Sequence, residues 1–315
     1  MTIKSNPTTH FLFNTHNPWV MLLITLGVTM VGFQFIGSFF GILFAFVFYP
    51  GSIEQFYQAL LNPTIDENMR TPFLIMQGTA ALTGFFLLPW LLLKNFYKGQ
   101  LADLSSVKVN SQLVVITVLI ALFFMGVNAP FIEWNQNFVF PEALAGLEEK
   151  LKALEDTLAK TSEFITNFDN VGQLLLGLVV VAIIPGIGEE FVFRGLIQNH
   201  VYGISKNIHV AIWVSALLFS LFHMQFYGLV PRMLLGALFG YLYYFSGNII
   251  YPIIAHFFNN GFTLVMLYLF QQNIVEFNID DTEVLPWSQV IFSVGITLVL
   301  FFVFQRIAKQ NLADE

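Results

Sequence analysis

The 315-residue chain is 56% hydrophobic and only 10% charged, with a mean hydropathy of +0.71, whereas a soluble domain carries about 25% charged residues. This composition excludes an ordinary soluble domain and predicts an all-α, polytopic membrane protein whose main partner is the lipid bilayer. The net charge of −7 argues against a nucleic-acid partner. Because the chain has no cysteine, disulfides, a thiolate nucleophile and a cysteine-based metal site are also excluded.

Eight apolar windows are long enough to cross a bilayer and predict a single membrane domain over residues 1–315. They lie at residues 19–49, 72–95, 113–133, 173–199, 208–225, 226–246, 248–270 and 286–307. The first window is too long for the core of a signal peptide, so it predicts a retained membrane helix. The fifth and sixth windows are separated only by the turn at residues 224–228. The sequence therefore predicts a bundle of about eight helices.

The lysines and arginines between these windows predict the orientation of the chain, because cytoplasmic loops are enriched in them. With both termini in the cytoplasm, seven cations lie inside: Lys4, Lys94, Lys98, Lys108, Lys206, Arg306 and Lys309. Four lie outside: Arg70, Lys150, Lys152 and Lys160. We therefore expect an integral membrane protein with cytoplasmic termini, most simply in a bacterial cytoplasmic membrane. The sequence gives no oligomeric state.

Residues 142–170 form the one substantial segment outside the predicted membrane helices. Leucines recur there at helical spacing, namely Leu144, Leu147, Leu151, Leu154 and Leu158. Pro141 is typical of a helix start, and Glu148 precedes Lys152 by one turn. The segment predicts an extramembrane amphipathic helix that rests on the outer ends of the bundle or on the lipid surface. A coiled-coil contact or a substrate gate is the alternative, although two heptads are short for a coiled coil.

Two acids and an arginine interrupt the fourth window, in the run from Pro185 to Arg194. A charge near the bilayer centre costs about 2.5–3.5 kcal/mol, so such residues indicate a functional site. Proline and two glycines precede the acids, and we expect a kink there. Glu190 lies one turn from Arg194 and is its natural salt-bridge partner, in a role that is either structural or chemical. Glu189 points about 100° away, which leaves it free to face a cavity and act as a general base.

Two further pairs spaced by four residues interrupt later windows. Phe219 and His223 share one face near the end of the fifth, and His256 and Asn260 share one face of the seventh. A lone membrane histidine is often only hydrogen-bonded to a neighbouring helix. Together, however, a carboxylate, two imidazoles and an amide supply the base, the proton carrier and the oxyanion donors that hydrolysis requires.

In order along the chain, these three motifs resemble those of the CAAX-protease and bacteriocin-processing (CPBP, or Abi) intramembrane endopeptidases. The pattern Glu-Glu-x-x-x-Arg corresponds to Glu189, Glu190 and Arg194. Phe-x-x-x-His corresponds to Phe219 and His223, and His-x-x-x-Asn to His256 and Asn260. The resemblance covers residues 173–270 as a catalytic core. Each motif alone is weak evidence, but three in order are specific.

The resemblance implies an eight-helix bundle with a conical intramembrane cavity and an endopeptidase that cleaves a membrane-associated protein or peptide. It further implies that Glu189 and His223 activate a water and that His256 and Asn260 stabilise the oxyanion. Glu190, Arg194 and Phe219 would then support the site or bind the substrate.

A mechanism without a metal or other cofactor is the one we expect, and zinc is the alternative. Glu189, His223 and His256 could supply the nitrogen and oxygen ligands of a zinc site, but the sequence has no His-Glu-x-x-His motif. A non-catalytic membrane scaffold of the same fold and a proton-coupled transporter are the rival functions. Transport is usually accompanied by internal repeats, and none is evident.

Overall fold

The computed structural model describes residues 17–61, 66–276 and 285–313 of the chain, and Lys4 lies outside these ranges. Within them the protein is built of helices and contains no β-strand, which confirms the all-α prediction. Its main helices are α1 (Pro18–Val47), α2 (Ile53–Leu61), α3 (Glu67–Asn95), α4 (Ser111–Gln136), α5 (Ala145–Thr166), α6 (Val171–Ser205), α7 (Ile208–Phe222), α8 (Leu229–Ser246), α9 (Ile250–Gln271) and α10 (Trp287–Ala313).

Six of the described helices are long and apolar enough to cross a membrane, namely α1, α3, α4, α6, α9 and α10. The protein is therefore a polytopic membrane protein, as its composition predicts. Each of the eight apolar windows coincides with a helix. However, α7 has only 15 residues, and α8 is not among the six. The count of eight spans stays a prediction.

The sixth helix forms the centre of the bundle. Every residue from 188 to 201 is buried, although the segment contains two acids, an arginine and a histidine. A helix segment that is buried on all sides has to satisfy most of its polar groups through neighbouring helices. The charged side chains of α6 therefore find partners on α7, α8 and α9.

π-Helical turns modify the backbone of α6 around the acids. They lie at Leu178–Ile183 and Phe191–Ile197, on both sides of the α-helical segment Ile184–Glu190 that carries Pro185. A π-turn shifts the hydrogen-bond register by one residue and often marks a functional position. Here the first π-turn presents the carbonyl of Val181 to the side chain of Asn260 on α9, with a distance of 3.0 Å.

Glycines on α8 allow this helix to lie directly against α6. A Cβ added at Gly236 would lie 3.0 Å from Arg194 Nη2, and one added at Gly240 would lie 2.7 Å from Gln198 Oε1. The same side chains donate to the backbone, from Arg194 Nη2 to the Gly236 carbonyl at 2.9 Å and from Gln198 to the Gly240 carbonyl. A step of four residues on α6 thus corresponds to a step of four on α8, and the two helices run parallel.

The extramembrane segment forms a 3₁₀ turn at Glu142–Leu144 followed by α5. Glu148 and Lys152 are hydrogen-bonded at 2.7 Å, as their spacing predicts. Near its middle, α5 contacts the turn between α7 and α8, where Glu155 Oε2 accepts a hydrogen bond from the Tyr227 amide at 3.3 Å. The helix therefore rests against the same end of the bundle that carries His223.

Candidate active site

Three helices supply the residues that the motifs single out. The first motif lies in the buried part of α6, His223 caps the end of α7, and His256 and Asn260 lie one turn apart on α9. The charged and aromatic groups of the three motifs are in mutual contact. The contacts join Glu189, Glu190, Arg194, Phe219, His223 and His256.

The carboxylate of Glu190 connects α6 to α9. Its Oε1 accepts a hydrogen bond from Arg194 Nη1 at 2.6 Å and lies 2.7 Å from His256 Nδ1. Because an ionised carboxylate can only accept, the proton in the second contact belongs to Nδ1 of the histidine. Both Glu190 and Arg194 are fully buried. The spacing of the first motif predicts the ion pair, but it contains no signal for the bond to His256.

Arg194 is held by several neighbours besides Glu190. Its Nη2 donates to the Gly236 carbonyl, and its guanidinium carbon lies 4.6 Å from the centre of the Phe219 ring and 5.4 Å from that of Phe239. Stacking on two aromatic faces is a favourable environment for a buried guanidinium. Arg194 thereby fixes the carboxylate of Glu190 in position.

Glu189 occupies a different environment from its neighbour. Its side chain retains some exposure, 11% against 0% for Glu190. Its Oε2 has no hydrogen-bond partner among the described residues and lies 3.9 Å from His256 Nε2. His256 therefore lies between the two acids, with Nδ1 on Glu190 and Nε2 towards Glu189. This arrangement leaves a carboxylate oxygen and an imidazole nitrogen facing each other with no bond between them.

His223 is oriented by its own helix. Its Nδ1 lies 3.0 Å from the carbonyl of Phe219, one turn earlier. Since a carbonyl can only accept, Nδ1 carries the proton, and the neutral ring keeps Nε2 as an acceptor. The ring of Phe219 packs edge-on against both histidines, with centroid distances of 5.1 Å to His223 and 5.9 Å to His256. Phe219 therefore separates the two imidazoles and also contacts Arg194.

Asn260 is partly engaged by the protein itself. Its side-chain nitrogen donates to the Val181 carbonyl, and its oxygen accepts from the Asn259 side chain at 3.2 Å. An amide nitrogen has two N–H groups, so one N–H of Asn260 is left for a further acceptor. The neighbouring Asn259 thus contacts the side-chain oxygen of Asn260 and does not engage its side-chain nitrogen.

The zinc alternative finds no matching geometry in the part of the chain that the structure describes. No group of three histidine, aspartate or glutamate side chains is placed there to hold a metal ion. One nitrogen of each histidine is hydrogen-bonded, to Glu190 for His256 and to a backbone carbonyl for His223, and this feature is equally compatible with a free or a metal-bound second nitrogen. We therefore derive no catalytic step through a metal.

Two residues of the site were missed by the sequence reasoning. Phe239 on α8 stacks on His256 with a centroid distance of 5.2 Å and an angle of 21°; one phenylalanine among 37 gave no signal. Arg232, also on α8, gave a clear one, because it is the only charged residue between positions 226 and 246.

Comparison with known families supports the motif assignment. Residues 171–262 match the family model described as Rce1-like, type II CAAX prenyl endopeptidase. The match spans less than a third of the chain and contains all seven motif residues. It confirms the resemblance to the CPBP family for this segment. No curated protein and no solved structure matches the chain.

Proposed function

We propose that this chain is an intramembrane protease of the CAAX type, because residues 171–262 match that family model. In this proposal it hydrolyses a peptide bond in a membrane-associated protein or peptide, with Glu189 as general base. The observation that carries the proposal is the different environment of two adjacent carboxylates. Oε2 has no hydrogen-bond partner among the described residues in either acid. Glu190, however, is fully buried with its Oε1 bound to Arg194 and His256, whereas the Glu189 side chain keeps 11% exposure. We therefore assign Glu189 as the acid that accepts a proton from water.

The first chemical step is the addition of water to the scissile carbonyl. Glu189 takes one proton of the water while Nε2 of His223, which the Phe219 carbonyl keeps as an acceptor, orients the other. The oxygen of the water then bonds to the carbonyl carbon, and the C=O π electrons move to the oxygen. This forms the tetrahedral oxyanion.

We assign two donors to this oxyanion. His256, held through Nδ1 by Glu190, donates from Nε2 in its protonated form, and Asn260 donates through the N–H that Val181 does not use. When the oxyanion re-forms the C=O bond and the C–N bond breaks, Glu189 returns its proton to the leaving amine and becomes a carboxylate again, so that the enzyme regains its starting protonation state. Glu190 and Arg194 take no part in proton transfer and act as positioning residues.

The test compares membranes from cells that produce the wild-type chain with membranes from cells that produce the Glu189→Ala chain at equal abundance. We expect at least one membrane-associated precursor to accumulate in the variant, together with loss of its shorter product in quantitative proteomics. Identical proteomes would contradict the protease proposal and favour a non-catalytic scaffold. A Glu54→Ala variant, which changes an exposed acid outside the family segment, is the matched control.

A further inference from the structure

Arg232 is the one arginine near the site to which the proposed chemistry gives no role. It is half-buried on the first turns of α8. The other two buried arginines of the described chain have carboxylate partners, Asp169 for Arg70 and Glu190 for Arg194. Arg232 makes no ion pair within the described residues. Its hydrogen bonds there go to two oxygens of Gln225, the carbonyl at 3.5 Å and the side-chain oxygen at 2.5 Å.

The register of α8 against α6 places Arg232 level with the two acids. Arg194 contacts Gly236 and Gln198 contacts Gly240, so a step of four on one helix matches a step of four on the other. Extending the parallel register back by one turn sets Arg232 opposite Glu190. In agreement with this, the charge of Arg232 lies within electrostatic range of Glu189 and of His223.

Arg232 also lies towards α5, the helix that rests on this end of the bundle. Glu155 of α5 is within electrostatic range of its guanidinium, as Glu189 is, but neither acid forms an ion pair with it. The cation therefore interacts electrostatically both with the extramembrane helix and with the hydrolytic carboxylate.

The guanidinium of Arg232 packs directly against the backbone of Gly228. A Cβ added at Gly228 would lie 2.4 Å from Nη1 and 2.6 Å from the guanidinium carbon of Arg232. The guanidinium thus lies flat against a residue that has no side chain. Gly228 and Gln225 together hold it in one position. Gln225 takes one N–H from each Nη, which leaves Nε–H and a second N–H on each Nη for a planar, two-oxygen acceptor.

We propose that Arg232 is a specificity residue that binds a carboxylate of the substrate, a few residues from the bond that is cut. The proposal rests on the proposed function, since it assigns a substrate group to the same site. A carboxylate satisfies the N–H groups that Gln225 leaves free and gives the half-buried cation the ion pair that it lacks. The carboxylate is either the C-terminal group of the peptide or an aspartate or glutamate side chain, which share the same chemistry.

Binding to a catalytically inactive protein separates this proposal from the mechanism. The full-length Glu189→Gln chain is reconstituted in phosphatidylcholine vesicles and offered N-acylated random octapeptides in three forms. The first form ends in a free carboxylate and contains no acidic residue, the second is amidated and contains Asp and Glu, and the third is amidated and contains neither. The bound fraction of each form is measured by quantitative mass spectrometry.

We expect one of the two carboxylate-bearing mixtures to bind about tenfold more tightly than the neutral mixture, as a charge-assisted bidentate pair allows. The mixture that does so identifies the source of the carboxylate. Adding Arg232→Gln should remove the preference, and Arg232→Lys should recover only part of it because an ammonium has no fork. Arg306→Gln, which removes an exposed arginine elsewhere, should retain it.

Gly228→Ala provides a second variant in case Arg232→Gln fails to fold. It keeps the charge but displaces the guanidinium, so the preference should fall there too. Equal binding of all three mixtures, or a preference that survives both variants, would overturn the proposal. Loss of the preference when phosphatidylglycerol is added would assign Arg232 to a lipid headgroup and also overturn it. A failure of peptide hydrolysis would leave this binding result unaffected.

Discussion

Nδ1 of His256 lies 2.7 Å from Oε1 of Glu190, and this bond joins the helix that carries the acids to the helix that carries the third motif. A histidine held by a carboxylate through one nitrogen presents the other in a fixed direction. Here the other nitrogen faces Glu189. The second acid of the Glu-Glu pair therefore positions the histidine, and the first lies 3.9 Å from the other nitrogen of the same ring.

Arg194→Ala should destabilise the protein as well as inactivate it. The substitution leaves the fully buried carboxylate of Glu190 without its cation, and breaking a buried pair in this way costs about 3–5 kcal/mol. We expect a lower Tm in detergent and a lower yield. Arg306→Ala, at an exposed position, should change Tm little. An unchanged Tm in Arg194→Ala together with lost cleavage would instead assign Arg194 to the substrate or to the chemistry.

Glu189→Gln should inactivate the protein without destabilising it, in contrast to Arg194→Ala. The amide keeps the shape of the side chain but cannot take the proton of water, so cleavage should fall by at least about 10²–10⁴-fold. Because Oε2 of Glu189 has no hydrogen bond to lose within the described residues, Tm should stay close to that of the wild type. Single-turnover assays measure the cleavage rate, and thermal unfolding of the same preparation measures Tm. Retained cleavage would exclude Glu189 as the base.

The metal-free mechanism predicts that chelation leaves the enzyme active. Purified protein treated with a strong chelator should keep its cleavage rate, and elemental analysis should find no stoichiometric zinc. Loss of activity that zinc alone restores would overturn this mechanism and would make Glu189, His223 and His256 the ligands to test. The same chelator already saturated with zinc controls for effects on the detergent or the lipid.

The sequence predicts the helices and the contact of Glu190 with Arg194 well, because both depend on local spacing. Apolar runs of 20 or more residues locate the long helices, and a spacing of four places Glu190 beside Arg194 on one face. It does not predict the bond from Glu190 to His256, which joins residues 66 positions apart. Nor does it predict that Pro185 is followed by a regular α-helical turn between two π-turns. Both depend on how α6 packs against its neighbours.

The importance of Arg232 is partly visible in the sequence and partly not. A lone charge in an apolar run is a signal at the level of composition. Its position beside the acids follows only from the register of α8 on α6, which Gly236 and Gly240 set by letting the helices touch. Such close approaches are invisible until the partner helix is known.

Gly84→Ala should be strongly destabilising because α1 and α3 cross at this residue. A Cβ at Gly84 would lie 2.6 Å from the backbone nitrogen of Phe33 on α1, and Gly32 meets Gly84 at the same crossing. Small residues at helix crossings in membranes allow backbones to approach, and a methyl group there forces the helices apart. Overpacking costs about 1–3 kcal/mol. The cost should reach the upper end here, because backbone cannot rotate away as a side chain can.

Gly27→Ala is the matched control on α1, since no atom lies within 4 Å of its added Cβ. Thermal unfolding in one detergent should show a clear fall in Tm for Gly84→Ala and none for Gly27→Ala. Equal Tm values would show that α1 and α3 do not approach at Gly84.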